Sequence, residues 1–103
     1  MTYHIHDVKV LRYPVLVVTF TDGYSGQYDL SDCINDGPMF ALLKDQEYFA
    51  HVAVGEHGRS FGWNLDDIGH EIDFCSDSTR IHIETRAVEA RAASFRAHRL
   101  AAE

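Results

Sequence analysis

The residues that most often announce a special chemistry are scarce in this chain. Its 103 residues include one tryptophan, two methionines, two prolines and two cysteines, and only nine lysines and arginines. Cys33 and Cys75 stand far apart with no C-x-x-C spacing, which excludes a zinc ribbon and a thioredoxin-like redox pair; in a reducing compartment both are expected as free thiols. No run of about 18 apolar residues occurs, so no helical membrane span is expected. The opening stretch "MTYHIHDVKV" lacks the basic start and apolar centre of a secretory signal, which makes the cytoplasm the expected location. Neither a G-x-x-x-x-G-K-[ST] nor a G-x-G-x-x-G phosphate loop is present, and no H-E-x-x-H pair. Ser60, Ser76 and Ser78 sit in no G-x-S-x-G elbow. There is no internal repeat, low-complexity tract or linker.

What is present describes a small globular domain. An apolar fraction of 46% with 24% charged residues is far from a disordered composition, and the length allows a single core. The net charge of −7 is unevenly spread: residues 1–85 hold fourteen acidic against five basic side chains, a balance of −9, while residues 86–103 hold Arg86, Arg91, Arg96 and Arg99 against Glu89 and Glu103, a balance of +2. An acidic body repels phosphate backbones and suits a basic protein partner. The division expected is one α+β domain over 1–85 and an Arg/Ala-rich helical tail over 86–103.

Along the chain, His4 to Tyr13 reads as an extended segment of imperfect alternation, broken by Pro14. "VLVVTF", Val15 to Phe20, is a β-branched strand. Asp22-Gly23 then marks a hairpin, and "YSGQYDL" returns with Tyr24, Gly26, Tyr28 and Leu30 on one face. Asp36-Gly37-Pro38 restarts the chain as a helix whose stripe is Met39, Phe40, Leu42, Leu43 and Phe49. A second hairpin follows, with Val52 and Val54 in one arm, Gly55-Glu56-His57-Gly58 as the loop, and Phe61 and Trp63 in the other arm. "DSTRIHIET" reads as one more short strand, Ile81 and Ile83 on one face and Arg80, His82 and Glu84 on the other. From Arg86 the alanine and arginine content predicts a helix with a thin stripe of Val88, Ala92 and Phe95. So thin a stripe requires a neighbour, either the domain's own surface or another chain.

The order of these signals, "VTFTDGYSGQYDLSD", then a Gly-Pro-Met-Phe start to "FALLKDQEYFAHVAV", then a hairpin into "FGWNLDDIGHEIDF", resembles the bacterial family grouped as domain of unknown function 2442, over roughly Val8 to Phe74. The resemblance implies an antiparallel sheet with helix packed on it, no established activity, and partnership with small neighbouring proteins in a toxin–antitoxin-like context. Asn64 departs from the proline common after the tryptophan. The arginine-rich tail stands in place of the helix-turn-helix domain that some members carry, so DNA binding through such a domain is not expected.

The densest mixture of aromatic and acidic residues is Phe61 to Phe74. Asn64-Leu65-Asp66-Asp67 favours side-chain-to-backbone turns; Phe61, Trp63, Leu65, Ile68, Ile72 and Phe74 are expected to line a bend, with Asp66, Asp67, Glu71 and Asp73 facing water. The functional counterpart is an acidic, aromatic-rimmed patch for a basic partner, with Trp63 as anchor if exposed. The expected function is a non-enzymatic protein-interaction module, with Trp63, Asp66, Asp67, Glu71, Arg91, Phe95 and Arg99 as contact residues. Its partner is a small basic protein or a second copy of the chain. No catalytic residue, cofactor or metal is assigned. The alternatives are a small metal-dependent or hydrolase-like enzyme, with His4 and His6 as first ligands and Asp7, His51, His57, His70 or His82 to complete a site, and a nucleic-acid-associated regulator using the arginines of the tail, with membrane association not expected.

Overall fold

In the computed structural model, which describes residues 2–67 and 69–102 and the side chains of these except 39 and 97–102, the chain forms two three-stranded antiparallel sheets and a long carboxy-terminal helix. The α+β expectation holds, with two sheets in place of one. The expectations for Ile68 and for the side chains of Met39 and Arg99 lie outside what the structure describes.

The first sheet orders β1 (Ile5–Arg12), β2 (Val15–Phe20) and β3 (Ser25–Asp29). β2 is the central strand, and its alternate residues Leu16, Val18 and Phe20 are buried. Irregularities of register between Ile5 and Asp7 and between Val10 and Arg12 explain the imperfect alternation of β1: an extra residue in one strand shifts the side-chain phase, so Ile5 and Val8 both point inward. The β2–β3 turn is built on Gly23 at φ +92°, the positive φ that the Asp-Gly pair predicts. The second sheet orders β4 (Ala53–Val54), β5 (Ser60–Trp63) and β6 (Ile72–Cys75).

Two elements differ from the sequence reading. The helix over 38–49 is divided into a 3-10 segment, Pro38–Lys44, and a short α-helix, α2 (Gln46–Phe49); the first short helix, α1, is Ser31–Ile34. Asp45, in extended conformation, ends one segment and caps the next, accepting from the backbone N–H groups of Glu47 and Tyr48. With the continuous period broken, Leu43 and Phe49 are buried while Leu42 is 55% exposed.

The larger correction concerns "DSTRIHIET". It is not a strand: α3 runs unbroken over Ser76–Ala102, crossing the 85/86 position where the composition changes. The buried residues there are Ser76, Thr79, Arg80 and Ile83, which is helical spacing. Ile81 and Ile83 therefore lie on opposite sides, and Arg80 is on the inner one. The start of α3 is tied to the beginning of the chain, since Tyr3 N–H donates to Asp77 Oδ1 at 2.7 Å and Ser76 Oγ donates to the Tyr3 carbonyl at 2.7 Å. Further along, Ile83 lies against Gly26, where a β-carbon would collide with the Ile83 Cγ2. One continuous core gathers Leu16, Val18, Phe49, Phe61, Trp63 and Ile83 from both sheets and all layers.

Candidate interaction surfaces

The aromatic and acidic run from Phe61 to Phe74 is a hairpin. Phe61 pairs with Phe74 and Trp63 with Ile72 across β5 and β6, and the acidic residues fall in or beside the turn between them. Phe61, Trp63 and Ile72 are buried and Phe74 half-buried. Trp63 is 1% exposed, and its indole N–H donates to the Phe49 carbonyl at 2.9 Å. It is an internal pillar, not the surface anchor that a docking role requires. Phe61 and Phe74 stack with ring centres 5.1 Å apart, and Phe49 and Phe74 approach Trp63 at 5.4 and 6.4 Å. Rings pack inward because their burial is the dominant favourable term; in β6 the strand period then sends Asp73 out, while Asp66, Asp67 and Glu71 lie in the turn between the strands.

Asp66, Asp67, Glu71 and Asp73 are accordingly exposed. Glu71 accepts from Gly69 N–H at 2.6 Å, and backbone N–H groups, its own first and then that of Gly69, hold its carboxyl below the usual range. His70 Nδ1 lies 3.4 Å from Asp67 Oδ1 with both side chains in solvent. Among the described residues no three His, Cys, Asp or Glu side chains come together as a metal-holding group; His4 is half-buried and His6 exposed at the β1 irregularity. Both cysteines are free, and burial, then the nearby Asp32 and Asp36, raise the Cys33 thiol above its ordinary value.

Sequence reasoning missed the most heavily engaged charged group, Arg80. Its Nη1 donates to Asp22 Oδ1 and Oδ2 at 3.1 and 2.9 Å, and its Nε lies 3.2 Å from Glu84 Oε1 without hydrogen-bond alignment. The guanidinium carbon stands 4.1, 4.4 and 5.0 Å from the ring centres of Tyr24, Tyr3 and Phe20. Burial alone lowers the affinity of this group for its proton; the two carboxylates more than offset that. Desolvated cation–aromatic contacts of this kind contribute about 2 kcal/mol. Arg80 thus clamps α3 to the β2–β3 turn, and its neighbour Thr79 buries a hydroxyl with no hydrogen-bond partner among the described residues.

Beside this clamp, β3 and α3 bound a groove of about 630 Å³, lined by Arg12, Tyr28, Asp29, Cys33, His82 and Arg86 among others. His82 stacks on Tyr28 at 4.3 Å. The Ser31 hydroxyl first, and then its N–H, lower the Asp29 carboxyl.

Beyond the clamp the helix changes character. From Thr85 to Arg96 no side chain is buried, in a molecule whose longest extent is 56 Å. Ile81, Val88 and Phe95, seven residues apart, are 62%, 66% and 66% exposed. At 3.6 residues per turn they and Ala92 lie about 120 to 180° around the helix from Ile83, on the side turned away from the sheet. Arg91 and Arg96 border this stripe. Arg91 and Phe95 are therefore on the surface, as a contact role requires, but no hydrogen bond, ion pair or ring contact among the described residues joins them to the acidic corner. Ile81 belongs with them and was assigned to the opposite grouping by the strand reading; its spacing of seven from Val88 and fourteen from Phe95 was the available signal. The chain matches no family model, no curated protein and no solved structure. No helix of the described residues is long and apolar enough to cross a membrane.

Proposed function

We propose that this chain is a non-enzymatic protein-interaction module that binds through the outward stripe of α3, with the acidic β5–β6 turn as a second contact surface. The observation that carries this reading is the exposure of Ile81, Val88 and Phe95 at a spacing of seven on one helix side. Three large apolar side chains exposed at a spacing of seven on a helix already anchored by its other side add nothing to the core, and such spacing is how a helix presents anchors to a partner. The balance of −9 in residues 1–85 favours a basic protein over nucleic acid at the turn formed by Asp66, Asp67 and Glu71.

The motif resemblance to domain of unknown function 2442 supports an antitoxin-like or regulatory role beside a small neighbouring protein, in the cytoplasm, and membership of that family is part of the proposal. The test is capture from its own cell extract by the tagged chain, wild type against Phe95→Glu. The captured proteins are expected to fall at least about tenfold with the variant, the scale of losing a buried aromatic anchor. An unchanged captured set would contradict the reading.

A further inference from the structure

Resting on the interaction reading, the geometry points to the occupant of the stripe: we infer that it is the same stripe of a second copy, the two helices running antiparallel with Val88 against Val88. Because Ile81 and Phe95 each stand seven residues from Val88, an antiparallel pair centred there sets Ile81 of one copy against Phe95 of the other at both ends. An apolar contact thus recurs every two turns along the seam. The body of each copy packs on the other side of its helix, against Thr79, Arg80 and Ile83, so the two bodies fall on opposite outer sides.

Charge chooses the direction. The amino-terminal half of the stripe is bordered by Asp77 and Glu84, the carboxy-terminal half by Arg91 and Arg96. Arg80 is turned inward, and Arg86 lies 3.5 Å from Glu89 of its own helix. Reversing one helix about Val88 brings Glu84 of one copy within about 1.5 Å, one residue's rise, of the height of Arg91 of the other and on the same side of the seam. The Glu84 side chain, though 3.2 Å from Arg80, keeps 45% of its surface free for that contact. A parallel pair would instead place the two −9 bodies side by side and match like ends.

The test uses the full chain with Cys33→Ser and Cys75→Ser. Sedimentation should show a dimer at concentrations up to about 1 mM, weakened more than about tenfold by Val88→Glu and about threefold by Arg91→Glu, the scale of an exposed ion pair. Under mild oxidation, a mixture of Ile81→Cys and Phe95→Cys chains should cross-link, while either alone should not. Cross-linking of Ile81→Cys alone means a parallel pair and overturns the inference. A wild-type monomer overturns it too: if helix residues 86–96 of that monomer gain hydrogen-exchange protection in cell extract, the interaction reading survives with another partner, and if they gain none, both fail.

Discussion

Two stretches of this chain are rich in apolar side chains with charges between them, and they are folded in opposite senses. In the β5–β6 hairpin the rings of Phe61 and Trp63 are buried and the carboxylates of Asp66, Asp67 and Asp73 face water. Along α3 beyond Arg80, the apolar Ile81, Val88 and Phe95 face water, and the side that faces the body offers little beyond Ile83 and alanines. The same composition therefore carries opposite information. In the hairpin it reports how the core is sealed; on the helix it reports a surface with no intramolecular purpose. What separates them is Arg80, which fixes the inner side of α3 and so determines which residues are left outside.

The contrast can be broken most forcefully at its two aromatic extremes. Trp63→Ala should cost about 3–5 kcal/mol, the range for deleting a buried large ring, whereas Phe95→Ala in the monomeric state should change stability by no more than about 0.5 kcal/mol; urea unfolding at low protein concentration measures both. Comparable losses would mean that Phe95 packs on the body. Next in size is the clamp. Arg80→Met keeps much of the side-chain volume but forfeits the Asp22 ion pair and the contacts with Tyr3, Phe20 and Tyr24, and should cost about 2 kcal/mol. Hydrogen exchange in residues 76–83 should quicken with it.

Thr79→Val sharpens the same point from the other direction. Removing a buried hydroxyl that has no partner among the described residues should stabilise the fold by about 1 kcal/mol, and a loss of stability would reveal a bond to that oxygen. The smallest effect expected is in the acid limb. Asp22 is held below the ordinary carboxylate range by Tyr24 N–H and then by Arg80, and Asp29 by the Ser31 hydroxyl and N–H. Lowered carboxyls add stability that is complete above the unfolded-state value of about 4 and is lost as pH falls through the folded-state values. Asp22→Asn should therefore lower the unfolding midpoint above about pH 4, where that stability is complete, and flatten its fall on acidification, the two chains converging in acid.

Much of the first sheet was legible because its signals are local: a β-branched run, Asp22-Gly23, and the alternation from Tyr24 to Leu30 are all decided within a few residues. The inward rings of the β5–β6 hairpin were legible for the same reason. The start of α3 was not. Ile81 and Ile83 alternate as a strand would, and the interactions that make the segment helical reach to Tyr3 and Asp22, 74 and 58 residues away in sequence. Arg80 accordingly looked like a solvent residue, and Ile81 was separated from Val88 and Phe95, the two with which it shares a side. The division of the 38–49 helix is not legible in the sequence because Asp45 fits a surface helix position as well as a cap.

The most direct measurement is the unfolding midpoint of the wild-type chain and of Val88→Glu as a function of protein concentration. If the outer side of α3 serves association and not the core, the wild-type midpoint rises with concentration, because pairing stabilises only the folded state, while the variant shows one constant midpoint equal to the wild-type value at high dilution. A wild-type midpoint that does not move with concentration, together with a variant less stable at every dilution, would place Val88 in the intramolecular core and contradict the account.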